Sequence, residues 1–450
     1  MMRRRTLISS LLAASVLPAA AYCTPARKRV IVIGAGMAGL GAAVALRSAG
    51  AETVIVEARD RIGGRIHTSV HWPDLPMDLG ASWIHGIKGN PVTALARQAG
   101  AAVVGTSYDK TQLYIDPAPK ALGVRDRGTD TAEAVYDRAI AWANKQERDV
   151  SIQAALDAVA PPGSLDAAQR AQLDFHVSAS LEQEYAGGAR QLSAWSIDEG
   201  SEFGGEDVLF PGGYRQITAH LAKGVDVRLN RIVKKITTKS SGVTLDFADG
   251  AKMEADHAIV TVPLGVLKAG TIAFDPPLPA AKQQAIDQLG MGLLNKHWLR
   301  FDRVFWPKAY DWHEFLSAQK GEWSEWVSLA KHKDTPVLLV FSAADQAEQV
   351  EKRGNQDILA DIMVTARKMF GNAIPDPVDT QITRWRSDLF ARGSYSYFAV
   401  GSGPNDSKAL AKSEFGRLHF AGEAQNHRYP GTVHGALLSG REAAARIIKA

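Results

Sequence analysis

The sequence predicts an α/β fold in which a parallel β-α-β unit is interleaved with an α+β region of mixed sheet and helices. Three observations predict it. Val30 to Ile33 is a wholly apolar run, followed by Gly34, Gly36 and Gly39 and by a helix-period stretch reaching Ala49, the pattern of a buried parallel strand turning into a helix. From Val225 to Val262 the period is two. Val225, Val227 and Leu229 alternate, as do Val243, Leu245 and Phe247, with Asp249-Gly250 as a hairpin turn. Between these regions lie helical patterns from Ala132 to Ala160 and from Leu165 to Leu181, divided by Pro161, Pro162 and Gly163.

The first unit reads as Rossmann-like. Gly34 permits a tight turn, Gly36 lets the backbone approach a pyrophosphate, and Gly39 lets helix and strand pack closely, with the helix start at Met37 and Ala38 aimed at the phosphates. The strand Thr53 to Val56 then delivers Glu57, 23 positions after Gly34, where a carboxylate grips ribose hydroxyls. Ala58 follows, and Arg59, Arg61, Gly63, Gly64 and Arg65 form RxRxGGR. The glycines specify a dinucleotide, and this extension narrows which one.

Further along, His257 to Val262 reads as a strand entering Pro263, and the second β region is expected to rejoin the sheet begun at Val30. A helix after Pro279 ends at Leu289 with Gly290 in the C-terminal capping position. His297 to Val304 is extended. Leu418 to Phe420 is a short strand before Ala421, Gly422 and Glu423, and a last helix runs from Thr432 to Ile448.

The N-terminus reads as a signal. Arg3, Arg4 and Arg5 precede an apolar run to Val16, and Ala19, Ala20 and Ala21 offer a small-residue cleavage site, as in a twin-arginine secretory signal. A membrane anchor is disfavoured because the run falls short of the roughly 20 residues a spanning helix needs. A lipoprotein signal is disfavoured because Tyr22 precedes Cys23. The mature chain is expected in the periplasm, exported folded by the twin-arginine machinery, and not inserted in a membrane.

At 450 residues and 46% hydrophobic the chain can bury a large core. Loss of the three signal arginines takes the formal net charge from +4 to +1, so its basicity gives no reason to expect nucleic acid. Cys23 is the only cysteine, which excludes disulfides, zinc clusters and a catalytic thiol. No metal site is expected, and the oligomeric state is not readable.

RxRxGGR resembles the FAD-binding flavoenzymes that include the amine oxidases. Residues 80 to 92, GASWIHGIKGNPV, resemble the segment after GGR in animal spermine and polyamine oxidases. LGMGLLNKHWLRFDRVFW (289 to 306), ARGSYSYFAVG (391 to 401) and FAGEAQNHRYPGTVHGALLSG (420 to 440) are similar to those oxidases and to flavin-dependent histone lysine demethylases. With the signal peptide read over 1–26, the resemblance implies a discontinuous FAD-binding domain over 27–105, 206–290 and 405–450, and a substrate-binding domain over 106–205 and 291–404. It assigns Gly80, Ala81, Ser82, Trp83, Val233, Gly422, Glu423 and Val433 to the cofactor, with Thr432 opening a helix toward the flavin pyrimidine.

The resemblance sets Lys296 beside flavin N5, reaching through a water. Monoamine oxidases attach FAD through a cysteine near the position of Ser394, so FAD is expected to be noncovalent here. Aromatic side chains commonly position the amine in such enzymes. Tyr397 is the first choice, with Trp385 and Tyr395 nearby, and Thr432 stands where monoamine oxidases place a second aromatic wall. His85 resembles a histidine that contacts a substrate amine, and Glu184 is a weaker candidate contact. Glu182 and Glu184, with the acidic run Asp198, Glu199, Glu202, Glu206 and Asp207, could draw a polycation toward the site, but the run reads better as a solvated loop.

The expected activity is oxidation of spermine, spermidine or acetylated relatives by oxygen, giving an aldehyde, a shorter amine and hydrogen peroxide. The alternatives are a monoamine or L-amino acid oxidase of the same family and a non-enzymatic flavin-binding redox partner.

Overall fold

The computed structural model describes residues 27–116 and 129–449; the segment read from sequence as a signal, and Cys23, lie outside them. Five parallel strands form one sheet in the order Leu418–Phe420, His257–Val260, Arg29–Ile33, Glu52–Val56 and Asp226–Arg228. The central strand explains its own burial. Val30 and Val32 enter the core shared with the Met37–Ser48 and Val433–Lys449 helices, whereas Ile31 and Ile33 enter a second core on the opposite face. With both faces covered the strand needs no polar alternation, and each buried Val or Ile contributes roughly 1.5–3 kcal/mol.

The second core lies against a four-stranded sheet of Val233–Lys239, Gly242–Phe247, Lys252–Ala255 and Ala273–Asp275. This corrects the expectation that the whole second β region rejoins the first sheet. Only its ends do, through Asp226–Arg228 and His257–Val260. The reason lies in the period: Val243, Leu245 and Phe247 are buried while Thr244 and Asp246 are half-buried, a one-faced pattern suited to an antiparallel layer.

A six-stranded sheet carries the rest, in the order Asp379–Ile382, Leu294–Arg300, Val337–Ala343, Glu325–Ser328, Trp312–Leu316 and Thr111–Ile115. All neighbours are antiparallel except the last pair. The extended stretch expected to reach Val304 ends at Arg300. The two sheet systems draw on alternating segments of the chain, an α/β layer interleaved with an α+β region.

The helical block divides into Thr129–Ala143, Ile152–Val159 and Ala167–His176, the last opened by an Asp166–Gln169 capping box. It continues as a π-helical turn, Val177–Glu182, of the kind often found near functional sites. That turn delivers Gln183, Glu184 and Tyr185 to the main cavity.

Gly290 does not cap its helix. The helix Ala280–Gln288 ends at Leu289 in an extended conformation, and Gly290–Met291 pairs antiparallel with Ser396–Tyr397. A β-carbon on Gly290 would lie 2.3 Å from the Tyr397 ring, so the glycine is required by close packing of an aromatic. Among the described residues no helix is long and apolar enough to cross a membrane, and no group of three or more His, Cys, Asp or Glu could hold a metal ion.

Candidate active site

A cavity of about 730 Å³ runs from the glycine turn to the six-stranded sheet. At its nucleotide end the Met37–Ser48 helix begins at Gly36 with no side-chain cap and no acid in its first turn. Its free N–H groups and positive dipole end therefore await an anion. Gly39 does not line the cavity but stands behind it, where a β-carbon would meet the Gly34 carbonyl oxygen at 1.9 Å. Glu57 is 6% exposed; its carboxylate accepts the Ala35 N–H at 2.7 Å and the Arg59 N–H at 2.9 Å, which fixes it at the strand end facing the cavity.

Arg59 forks onto Asp388 through bonds of 2.9 and 2.7 Å. Arg65 Nη1 donates to the Ser394 carbonyl and to Glu423 Oε1, each at 2.8 Å. The other oxygen of Glu423 accepts from Ser396 Oγ at 2.5 Å and from the Gly431 N–H at 3.1 Å. Glu423 is therefore a clasp between three segments and lies ten residues before the last helix begins. Thr432 caps that helix: its hydroxyl accepts the Gly435 N–H and donates to the Tyr429 carbonyl, both at 2.9 Å. Thr432 and Val433 line the cavity, as do Met37, Ala38, Ala58, Gly64, Gly80, Ala81, Val233 and Gly422. The uncapped helix start, the side-chain-free turn and the buried Glu57 fit a dinucleotide.

Lys296 lies on the Leu294–Arg300 strand and is 4% exposed. Its ammonium donates to the carbonyls of Gly80 at 2.6 Å and Asp78 at 3.4 Å and to Ser82 Oγ. It also lies 5.2 Å from the centre of the Trp83 ring, a favourable place for a cation. Burial pushes this lysine well below its usual range, and the charge of Asp78 draws it back up. Asp78 accepts hydrogen bonds from Thr68 Oγ1 and the Tyr214 N–H. Burial raises its own carboxyl despite these bonds and the nearby lysine.

The remaining candidates gather on the same cavity. His85 Nδ1 lies 2.8 Å from Asp207, which also accepts the Gly86 N–H at 2.8 Å. Burial alone would lower the imidazole, but hydrogen bonding to Asp207 raises it overall; the same bond holds Asp207 below its usual range against its own burial. Glu184 is raised by burial, with His85 opposing. The Tyr395 hydroxyl donates to the Gln183 carbonyl at 2.8 Å, and a β-carbon on Gly431, next to Thr432, would lie 3.4 Å from its ring. Tyr397 also lines the cavity, but its ring is wedged against Gly290 and Gly187 and packs on the helical core. Trp385 lines it too, with its indole N–H donating to the Leu79 carbonyl at 3.2 Å.

Asp207 and Glu202 correct the reading of residues 198–207 as a purely solvated loop. Both line the cavity, and Asp207 is drawn in because the Asp207–Leu209 strand pairs between Trp83–Ile84 and Val104–Thr106. Tyr108, Trp312, Glu325 and Phe341 also line it and were not singled out from sequence. Glu325 carried a signal nonetheless: it alternates with Trp323 and Val327 in an otherwise apolar row, and the whole EWVS strand is buried.

Comparison with known proteins agrees with this geometry. A family model described as flavin containing amine oxidoreductase matches residues 37–448. Polyamine oxidase 2 of Arabidopsis thaliana is 37% identical over 433 residues, covering 92% of this chain and 87% of that protein. Lysine-specific histone demethylase 1 homolog 1 of Oryza sativa subsp. japonica is 37% identical over 446 residues, 94% of this chain, but the chain spans only 52% of that relative's length. In fold, the chain is similar to putrescine oxidase solved with putrescine, with a TM-score of 0.77 and 22% identity over 94% of this chain and 99% of that one. The chain therefore belongs to the flavin-containing amine oxidoreductase family, and its cofactor is FAD, held noncovalently.

Proposed function

We propose that the chain is an exported polyamine oxidase, acting on spermine, spermidine or acetylated relatives with oxygen as electron acceptor. The observation that carries this reading is the acid wall of the cavity: Glu184, Glu202 and the His85–Asp207 pair stand in the same space as Lys296. Carboxylates lining the cavity favour a substrate with several positive charges. The names of relatives such as Polyamine oxidase 2 and Polyamine oxidase 4 support the same class. Arg3 to Arg5 and the apolar run after them support export through the twin-arginine pathway to the periplasm.

Bound FAD supplies the hydride acceptor for the carbon next to the amine; water then hydrolyses the resulting imine to an aldehyde and a shorter amine. The chain's own residues do the rest. Packing favours Tyr395, beside Thr432, over the wedged Tyr397 as the ring that positions the amine. His85 and Asp207 orient a neighbouring ammonium. Lys296 provides a buried cation where oxygen gains negative charge on its way to peroxide.

The protonation of Lys296 is testable. Asp78 raises the lysine, so Asp78→Asn removes an upward pull and the proton leaves at lower pH. The alkaline limb of the pH profile for reoxidation by oxygen should move toward acid in this variant. An unmoved limb would contradict the coupling.

The substrate class is tested by peroxide release from purified protein across spermine, spermidine, acetylated polyamines, putrescine, phenylethylamine and L-amino acids. Turnover confined to amino acids would overturn it.

A further inference from the structure

Lys296 has a full set of acceptors inside the protein. An ammonium carries three N–H donors and no acceptor. Here the three go to the Gly80 carbonyl at 2.6 Å, the Asp78 carbonyl at 3.4 Å and the Ser82 hydroxyl. A cation with every donor engaged acts on a ligand only through space or through one of its partners. Two of those partners are carbonyls, which have no hydrogen to pass on. The third is a hydroxyl, with one donor and two acceptor positions.

Accepting from Lys296 leaves the Ser82 hydrogen to be placed. Among the described residues its acceptor is the Gly80 carbonyl at 3.4 Å, long for an O–H donor and already taken by the lysine. Ser82 and Lys296 both line the cavity. The backbone that carries the serine is fixed on both sides. The Ala81 N–H donates to the Arg65 carbonyl at 3.2 Å, and a β-carbon on Gly80 would lie 1.8 Å from that same oxygen and 3.3 Å from the Trp385 ring. The next residue, Trp83, opens a strand paired with Asp207–Leu209.

We propose that Ser82 is the residue through which Lys296 acts on the cavity: its hydroxyl accepts from the ammonium and donates a hydrogen bond to the atom that gains negative charge during reoxidation. This rests on the reading of Lys296 as the cation that assists oxygen. The reach expected through a water then starts at Ser82 and not at the lysine. A hydroxyl that accepts from a cation is polarised and donates more strongly, and a donor set in place beforehand stabilises charge without reorganising.

The direction of the bond follows the lysine's proton. A neutral amine has a lone pair, onto which Ser82 turns its hydrogen, away from the cavity. Burial draws Lys296 well below its usual range while Asp78 opposes, so the neutral form is reached without strong alkali. Asp78 is the charged group that acts on the lysine, and Arg215 acts in turn on Asp78. From the other sides the Trp83 and Trp298 rings face the ammonium at 5.2 and 5.9 Å.

The test uses the FAD-loaded full chain carrying Ser82→Ala, which removes only the hydroxyl, beside wild type and Lys296→Met. Stopped-flow follows reoxidation by oxygen as a function of pH, and the absorbance of the oxidised flavin is titrated with no substrate present. At neutral pH Ser82→Ala should slow reoxidation by about 10- to 100-fold, the worth of one hydrogen bond to a charged group, and change reduction by spermidine by less than about threefold. Its alkaline limb should flatten, because loss of the lysine's proton no longer reaches the cavity. The inflection that the lysine gives the wild-type flavin spectrum should lose most of its amplitude. A serine that only held the lysine in place would leave limb and inflection at full height and move both toward acid, since the ammonium loses an acceptor. That result, or reoxidation of Ser82→Ala at the wild-type rate, would overturn the relay while leaving the role of Lys296 in place. Lys296→Met that reoxidises as fast as wild type would overturn both.

Discussion

Lys296→Met is expected to slow reoxidation of the reduced enzyme by oxygen by about 10²- to 10³-fold, the scale on which a single preorganised electrostatic group acts in a dry site. Reduction by substrate should change by less than about tenfold. The split follows from placement. Lys296 is buried, its ammonium is held on Gly80, Asp78 and Ser82, and no acid other than Asp78 acts strongly on it. Methionine keeps much of the length and apolar bulk of the stem while removing the charge. Stopped-flow measurement of the two half-reactions separates them, and equal oxidative rates in wild type and variant would contradict the role of the cation.

Gly39→Ala is expected to abolish FAD retention. The added β-carbon meets the Gly34 carbonyl oxygen at 1.9 Å, a collision between backbone segments that no rotamer change relieves. Relief requires the helix to lift off the Arg29–Ile33 strand, and the N–H groups of its first turn then leave the position that receives a pyrophosphate. Ser48→Ala, at the exposed end of the same helix, is the control and should bind FAD normally. The ratio of flavin to protein absorbance after gel filtration reports both. A yellow Gly39→Ala protein with full occupancy would show that the helix need not pack so closely.

The nucleotide half was largely legible because its signals are local. A strand, three glycines, a helix and an acid within thirty residues each have one mechanical reason to be there, and the folded chain holds them in that arrangement. Leu418–Phe420 and the helix after Thr432 were equally local. What was not legible depends on long-range pairing. Gly290 looked like a helix cap because glycine often is one, yet its reason is the Tyr397 ring more than a hundred residues away. Asp207 looked solvated until a three-stranded ribbon brought it to His85. Tyr395 and Tyr397 are two residues apart, one just before a short strand and one on it, and the hydrogen bond to Gln183 together with the packing at Gly187 and Gly290 distinguishes their surroundings. Glu325 comes to the same cavity as Lys296 through the register of three strands, a relation no linear pattern contains.

On the proposed reading, this cavity presents a multiply charged amine to FAD. The most direct measurement is anaerobic mixing of the purified holoenzyme with spermidine while flavin absorbance is followed. Spermidine is expected to bleach the flavin at concentrations where an L-amino acid leaves it oxidised, with colour restored and peroxide released on admission of oxygen. Flavin that stays oxidised with spermidine, spermine and their acetylated forms would contradict it.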